Sequence, residues 1–594
     1  MKLRIGRQGY GRALPQVRTY GGFIVKAKFL KILIIIPACF LVFTNSLKNQ
    51  FVYDDIDIIK GNILIRSPQN IPKILVSNYW EGTGKGQGQN LWRPLVMISY
   101  VVDYSIWRLN TIGFHLTNIL FHTMNSILVF FLFLLVLKNI VLKNILKSET
   151  IAFFAALIFA VHPIHTEVVT GIVGRSELMV VFFYLAALVA YINSGRKSSY
   201  YFLSLLSFIL ALLSKETALT LPVMIVLYDI FSASKIKKDI SKKFKYYYGY
   251  AGVTFVYVIA KISIFGSITP VETTTAFYTK GIISRMLTMS EVFMDYIRLL
   301  FYPVQLSIVY NINSVITDSL SLKNLSYIIL LFLIIIIAVR IYRHSKAIAF
   351  SLFWCFTAML PVSNIIPIGD LIAERFLYLP SAGFCLIIGV LACYVKKKEH
   401  QLAVMAGILL CFSFLTVKRN SEWKDNITLW SSAVKRFPDN AKAYNYLGMG
   451  YHEKNMLDKA IEAYKESIRL NPGDSYARNN LGVAYINGGF LDDAISAFME
   501  SMKLNPAQFN IYSNIGGAYF MKKSYDEAIR YFNESLRLNP FFMDAYSNLA
   551  ITYFMKGMYY EAKRTYEKAL ELCPDSVDIR NKLRILEEQH RNIQ

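Results

Sequence analysis

"AKAYNYLGMGYHEKNMLDKAIEAYKESIRLNPGD", residues 441–474, places a small residue at Gly448, an aromatic at Tyr451, a second small residue at Ala460, a second aromatic at Tyr464 and a proline at Pro472. Each recurs at one interval. Proline stands at 438, 472, 506, 540 and 574, always 34 residues apart. Gly448, Gly482, Gly516 and Ala550 keep that step, as do Tyr451, Tyr485, Tyr519 and Tyr553, then Ala460, Ala494, Ala528 and Ala562, then Tyr464, Phe498, Phe532 and Tyr566. Small residues let two helices approach, aromatics fill the gap, and proline ends the second helix because it has no N–H to continue it.

A 34-residue period with residues in this order is the tetratricopeptide signature. Four full repeats follow: 441–474, 475–508, 509–542 and 543–576. Segment 421–440 is a connector whose "ITLWSSAVKRFP" (427–438) reads as the second helix of a degenerate repeat, and 577–594 reads as a capping helix. Such arrays are solenoids with a concave face that docks peptides or proteins; a structural spacer is the plainer alternative.

Before residue 421 the composition changes. The whole chain of 594 residues is 54% apolar, with a mean hydropathy of +0.37. The apolar residues fall in runs near the length of about 20 residues needed to cross a bilayer. Candidate spans are 30–47, 115–137, 151–165, 175–193, 199–213, 217–231, 246–265, 325–341, 346–363, 377–395 and 401–417. The expected fold is all-α: a polytopic membrane bundle of about 11 spans over 1–420, followed by the solenoid.

The formal charge of +24 does not signal nucleic acid, because its distribution follows the spans. Six clusters between apolar runs (1–31, 138–147, 196–197, 235–245, 340–346 and 396–398) hold 25 Lys and Arg. Basic loops mark the cytoplasmic side. An odd span count then puts the N-terminus inside and the repeats outside. "FLKILIIIPACFLVFTNSL" (29–47) lacks a small-residue cleavage site and reads as a retained helix. Two amphipathic stretches, 93–107 with Asp103 and 285–302 with Glu291, Asp295 and Arg298, are expected along the outer interface, since buried charge in hydrocarbon is costly. Trp80, Trp92 and Trp107 read as interface anchors. The six cysteines have no disulfide or zinc spacing.

On this topology the ionisable residues near the spans gather on the outer face. They are Asp54 and Asp55 in "FVYDDIDIIKGN", Arg93, then His162, His165, Glu167, Arg175 and Glu177 in "HPIHTEVVTGIVGRSE", Lys215 and Glu216, and Glu374 with Arg375. Ionisable groups at membrane depth mark function by default. A carboxylate pair with several cations suits attack by a hydroxyl on a sugar–phosphate donor. One Asp takes the proton, and Arg or Lys stabilises the departing phosphate. No Walker or Rossmann glycine pattern is present, so the consistent donor is a sugar on a polyprenyl phosphate. Alternatives stay open residue by residue. His162, His165 and Glu167 form a possible divalent-metal set, although Pro163 interrupts the helical face. Arg175 and Glu177 on one side and Lys215 and Glu216 on the other are equally readable as charges that pair across to each other's helices, and Glu374 with Arg375 as an interfacial ion pair.

"FVYDD", "WRPL", "GFHLTNILFH", "VHPIHTEVVTGIVGRSELM", "SKETALT" and "AERFLYLPSAGF", followed by the repeats, resemble the transmembrane and tetratricopeptide-repeat protein O-mannosyltransferases. These are multi-span, C-type glycosyltransferases. The resemblance implies that Asp54 or Asp55 is the general base for a Ser or Thr hydroxyl. It also implies that the loop with His162 and His165, together with Arg175, Lys215 and Arg375, lines the donor phosphate. The family acts on the luminal side with dolichyl-phosphate mannose; undecaprenyl phosphate is the bacterial counterpart. This chain has fewer repeats than many members and a short outer segment at 266–284.

The expected function is therefore transfer of a sugar, mannose by the resemblance, to proteins gathered by the repeats on the non-cytoplasmic face. The partners are membrane lipid, the lipid-phosphate donor and acceptor proteins. A non-protein glycan acceptor is the second reading and a membrane-anchored repeat scaffold the third. A scaffold needs one anchor, and a transporter is expected to show duplicated spans, which the sequence lacks.

Overall fold

In the computed structural model the described residues are 16–83, 90–140, 145–233, 235–241, 243–267, 281–311, 321–365, 370–574 and 576–593. The basic segment up to residue 15 and most of the 266–284 loop lie outside them. Among the described residues there is helix and turn but no strand. The chain divides into two compact units, Met1–Ile308 with Ile312–Lys424 and Val309–Asn311 with Asp425–Gln594.

The first unit is the apolar one. A helix occupies each expected span. Among the described residues six helices are long and apolar enough to cross a membrane: Lys28–Ser46, Thr111–Ile140, Ile172–Asn193, Phe244–Phe265, Leu322–Ile341 and Lys398–Glu422. A seventh crossing arises if Lys147–Val161 and Pro163–Thr170, bent by 51° at their break, count as one. The expected count of about 11 is not established by helix length. Ser198–Leu212 has 15 residues, which at about 1.5 Å each falls short of a hydrocarbon core of about 30 Å. Leu221–Ser232, Lys346–Met359 and Pro380–Ala392 are shorter still, each beside a tight 3₁₀ turn.

The two amphipathic stretches form the helices Pro94–Trp107 and Ile282–Phe301. Their charges are handled differently. Glu291 pairs with Lys323, and Asp295 lies 3.1 Å from Arg298. Asp103 instead turns into the protein, against Arg175. Trp92 is also buried rather than anchoring an interface: its indole N–H donates to the Leu75 carbonyl at 2.9 Å, and its ring stacks on Tyr257 at 5.6 Å.

The second unit is a run of paired helices, Ala441–Glu453 with Leu457–Leu470, Ser475–Asn487 with Leu491–Leu504, Phe509–Met521 with Tyr525–Leu538, and Met543–Met555 with Tyr559–Leu572, closed by Val577–Ile593. The periodic residues explain the pairing. A Cβ added at Gly448 would sit 2.6 Å from the Tyr464 ring, and Gly482 and Gly516 face Phe498 and Phe532 as closely. Ala460, Ala494, Ala528 and Ala562 are fully buried. A periodic serine adds a tie: Ser467, Ser501 and Ser535 donate to the carbonyls of Ala441, Ser475 and Phe509 at 2.6–2.9 Å. Before the first repeat, Asn426–Arg436 is helical, capped by Asp425, with Trp430 stacked on Tyr446 at 4.5 Å.

Candidate functional site

The chain reaches the carboxylate pair through a forced turn. The first helix ends at Phe43, a 3₁₀ turn covers Thr44–Ser46, and Tyr53 then takes φ 51. An aromatic residue in the left-handed region is strained, and such strain collects at functional sites. A π-turn over Ile56–Lys60 follows at once. Asp54 is half-buried and Asp55 buried, at 1% exposure. The Asp55 carboxylate accepts N–H bonds from Val173 at 2.9 Å and Val52 at 3.3 Å, which ties this loop to the Ile172–Gly174 turn. Burial pushes the Asp55 carboxyl up to about 7, against the opposing pull of those N–H donors. Asp54 adds a small push in the same direction.

A band of alternating charge lies next to this pair. Arg93 stands over the Tyr79 ring at 5.2 Å and pairs with Glu216 at 2.9 Å. Tyr79 feels the charges of both Arg93 and Asp54. Lys215 pairs with Glu177 and faces the Phe376 ring. Arg375, 27% exposed, pairs with Glu167 and Asp370 and lies within electrostatic range of Tyr53. Burial alone would raise the Glu216 carboxyl; Arg93 and Lys215 outweigh it and hold it at about 2. The Lys215 ammonium is lowered by burial, against the pull of Glu177.

Asp54, Asp55, Arg93, Glu167, Glu177, Lys215, Glu216 and Arg375 thus come together around one end of the bundle. The other sequence candidates are packed inside. Arg175, at 0% side-chain exposure, contacts Asp103 at 2.5 Å and donates to Asn118 Oδ1 and the Phe114 carbonyl, each at 2.9 Å. Its guanidinium also covers the Tyr100 ring. His162 Nε2 lies 3.1 Å from the Leu300 carbonyl while its Nδ1 accepts from the Ile164 N–H. His165 lies 2.8 Å from both the Phe159 carbonyl and Ser381 Oγ. Glu374 turns away from Arg375 and lies 3.5 Å from Arg419. Lys215 with Glu177 is the pairing across helices that the sequence allowed, whereas Glu374 and Arg375 take partners from other segments. Among the described residues no group of three or more His, Cys, Asp or Glu is placed to hold a metal ion, and Glu167 is engaged by Arg375 rather than by the imidazoles.

The sequence did not single out Lys261 or Tyr79, and it set Asp103 at the outer interface rather than against Arg175. Lys261 was detectable: it is a lone charge in "VIAKISIF" (258–265), inside an apolar run.

In the second unit, a cavity of about 900 Å³ opens on the first repeat, lined among others by Tyr444, Tyr451, Glu462, Lys465 and Arg469. Amide side chains pair from repeat to repeat: Asn480 Nδ2 donates to Asn445 Oδ1 at 3.0 Å and Asn514 Nδ2 to Asn479 Oδ1 at 2.8 Å.

The tetratricopeptide repeat family matches residues 441–474, 475–508, 509–542 and 544–576. A second set of similarities is to transferases. A protein O-mannosyl-transferase of Caenorhabditis elegans is 30% identical over 447 residues, covering 74% of this chain and 62% of the relative. Similarity to protein O-mannosyl-transferases thus extends over 74% of this chain. Tmtc3 of Drosophila melanogaster is 26% identical over 74% of this chain and 55% of its own length, and TMTC3 of Homo sapiens 28% over 73% and 50%. The chain thus spans about half to three-fifths of the curated relatives it matches. Among solved structures, MamA is 28% identical and covers 24% of this chain and 85% of its own, at a TM-score of 0.23.

Proposed function

We propose that the chain transfers mannose from a polyprenyl-phosphate donor to Ser or Thr hydroxyls of proteins on the non-cytoplasmic face. One observation carries the reading: a carboxylate pair on a strained turn shares one end of the bundle with Arg93, Lys215 and Arg375. The names of the relatives supply the sugar and the class of acceptor.

Asp54 is the base. It is the accessible member of the pair, whereas Asp55 is held by backbone N–H groups and positions the turn. The acceptor oxygen attacks the sugar C1 and its proton passes to Asp54. The bond from C1 to the phosphate oxygen breaks, and its electron pair leaves with the polyprenyl phosphate. Charge grows on that phosphate as the bond breaks, and fixed cations stabilise it most where water is excluded. The repeats hold the acceptor. Side-chain amides offer both a donor and an acceptor and suit the main chain of an extended polypeptide.

The test is Asp54→Asn in membranes supplied with polyprenyl-phosphate mannose, read by mass spectrometry of hexose on Ser and Thr. Losing a general base lowers transfer by about 10²–10⁴-fold. Undiminished transfer in both Asp54→Asn and Asp55→Asn overturns the assignment.

A further inference from the structure

Asn420 lies in the last turn of the helix Lys398–Glu422 and is fully buried. Its carboxamide is engaged at both ends. Nδ2 donates to the Val42 carbonyl at 2.7 Å and to Asn45 Oδ1 at 3.0 Å, and Oδ1 accepts from Thr170 Oγ1 at 3.0 Å. A backbone carbonyl can only accept, so Val42 fixes which end of the amide carries the nitrogen. The main chain of the same turn adds two ties. The Asn420 carbonyl accepts from Asn49 Nδ2 at 3.1 Å, and the Lys424 carbonyl accepts from the Gln50 N–H at 2.9 Å. His115 holds Asn49 from another side, with Nε2 3.2 Å from the Asn49 carbonyl. Trp423 is buried against Gly171, where an added Cβ would sit 3.0 Å from the ring.

The two segments that Asn420 joins are the two that meet at Asp55. Val42, Asn45 and Asn49 belong to the run that leads from the end of the first helix to the strained turn at Tyr53. Thr170 ends the short helix Thr166–Thr170, three residues before Val173, whose N–H donates to the Asp55 carboxylate at 2.9 Å. From Leu47 to Tyr53 the backbone is turn and irregular. Such a segment has no ladder of its own, so bonds from neighbouring elements set its course. A carboxamide of this length gives two donors toward Val42 and Asn45 and an acceptor toward Thr170. A carboxylate lacks the donors, and an aliphatic side chain lacks both.

We propose that Asn420 is a positioning residue for the carboxylate pair: it clamps the run Val42–Asn49 to Thr170 and so fixes where Asp54 meets the acceptor hydroxyl. The proposal deepens the transferase reading and rests on it. A shift of about 1 Å in a reacting group, caused far from the chemistry, can cost about 10²-fold in rate. Arg93 and Lys215 take their partners, Glu216 and Glu177, from segments that Asn420 does not touch. Loosening the clamp therefore slows the chemical step while donor binding is kept.

The experiment compares the full chain with Asn420→Ala, Thr170→Val and Thr170→Ser. Sugar transfer is followed in membranes titrated with polyprenyl-phosphate mannose, and hydrogen exchange is followed on the full chain in nanodiscs. Asn420→Ala is expected to lower kcat about 10²-fold with the donor KM within about threefold. Exchange should quicken about tenfold in peptides covering 42–55 and 170–175, with the helix Thr111–Ile140 unmoved. Thr170→Val removes one bond of the same clamp and should shift both readouts in the same direction, which keeps the test open where Asn420→Ala fails to fold. Thr170→Ser retains the hydroxyl and should keep the wild-type values. An unchanged kcat, a donor KM that rises as kcat falls, faster exchange in every segment, or Thr170→Ser as slow as Thr170→Val overturns the proposal. Faster exchange confined to the two segments, in a chain whose wild type transfers no sugar, leaves the clamp standing and removes the transferase reading. Lost transfer with exchange unmoved removes the clamp and keeps the transferase.

Discussion

The Asp103–Arg175 pair gives the sharpest test of how this bundle is held together. Both side chains are buried, with 7% and 0% exposure and 2.5 Å between Oδ2 and Nη1. Asp103→Asn leaves the guanidinium charge in place with its counter-charge gone, and removing one partner of a buried pair costs about 3–5 kcal/mol. Arg175→Met strands the Asp103 carboxylate. It also removes the donors to Asn118 Oδ1 and the Phe114 carbonyl, at about 1–3 kcal/mol for each orphaned acceptor. In the Arg175→Met background, however, Asp103→Asn removes an unpaired buried charge and should stabilise. The same substitution thus changes sign with its background, giving a coupling larger than the cost of about 3–5 kcal/mol of the single change. The four variants would be compared by reversible unfolding in detergent. Additive losses would refute the reasoning. So would an Asp103→Asn protein of unchanged stability with a shifted KM for donor, since that result would put Arg175 at the substrate.

Two further expectations concern the pole and the array. Asp55 binds a proton more tightly in the fold than in the open chain, with its carboxyl at about 7 against 3.8. The fold therefore gains from this group below pH 4 and loses that gain as pH rises to about 7, by at most roughly 4 kcal/mol at 1.4 kcal/mol per unit. Asp55→Asn should flatten the drop in unfolding midpoint between pH 5 and pH 8; an identical slope in the variant counts against a buried Asp55. In the repeats, Gly448→Ala forces a methyl against the Tyr464 ring and should cost about 1–3 kcal/mol. Gly517→Ala, with open space around it, should stabilise its helix by about 0.5–1 kcal/mol. Circular dichroism melts that move both variants in the same direction would contradict the packing described.

The sequence revealed the solenoid well because each repeat packs on its neighbours, so the packing rule recurs every 34 residues. The helices of the membrane unit were legible for a similar reason: an apolar run needs no partner to declare itself. The ion pairs were legible in part: the charges at 175–177 and 215–216 were expected to reach each other's helices, as Lys215 and Glu177 do, but the Asp103 partner of Arg175 was not foreseen. Arg175 and Glu177 are two residues apart, which on a helix turns them about 200° from one another. One meets Asp103 and the other Lys215, from opposite sides. Nothing local in the sequence encodes that choice. The histidines looked like ligands because imidazole near a carboxylate has metal chemistry, but carbonyls and Ser381 surround them. Helix lengths were legible only as apolar runs, so short helices flanked by 3₁₀ turns entered the count of crossings, which helix length alone does not establish.

The bond between Glu167 and Arg375 joins residues 208 positions apart. A ribosome adding about 5–20 residues per second makes the arginine about 10–40 s after the glutamate. During that interval the eventual counter-ion of Glu167 is still unsynthesised. The tie between these two segments therefore waits on synthesis of the late loop that carries Arg375. Charge neutralisation at this end is a timed event in translation as well as a property of the finished fold.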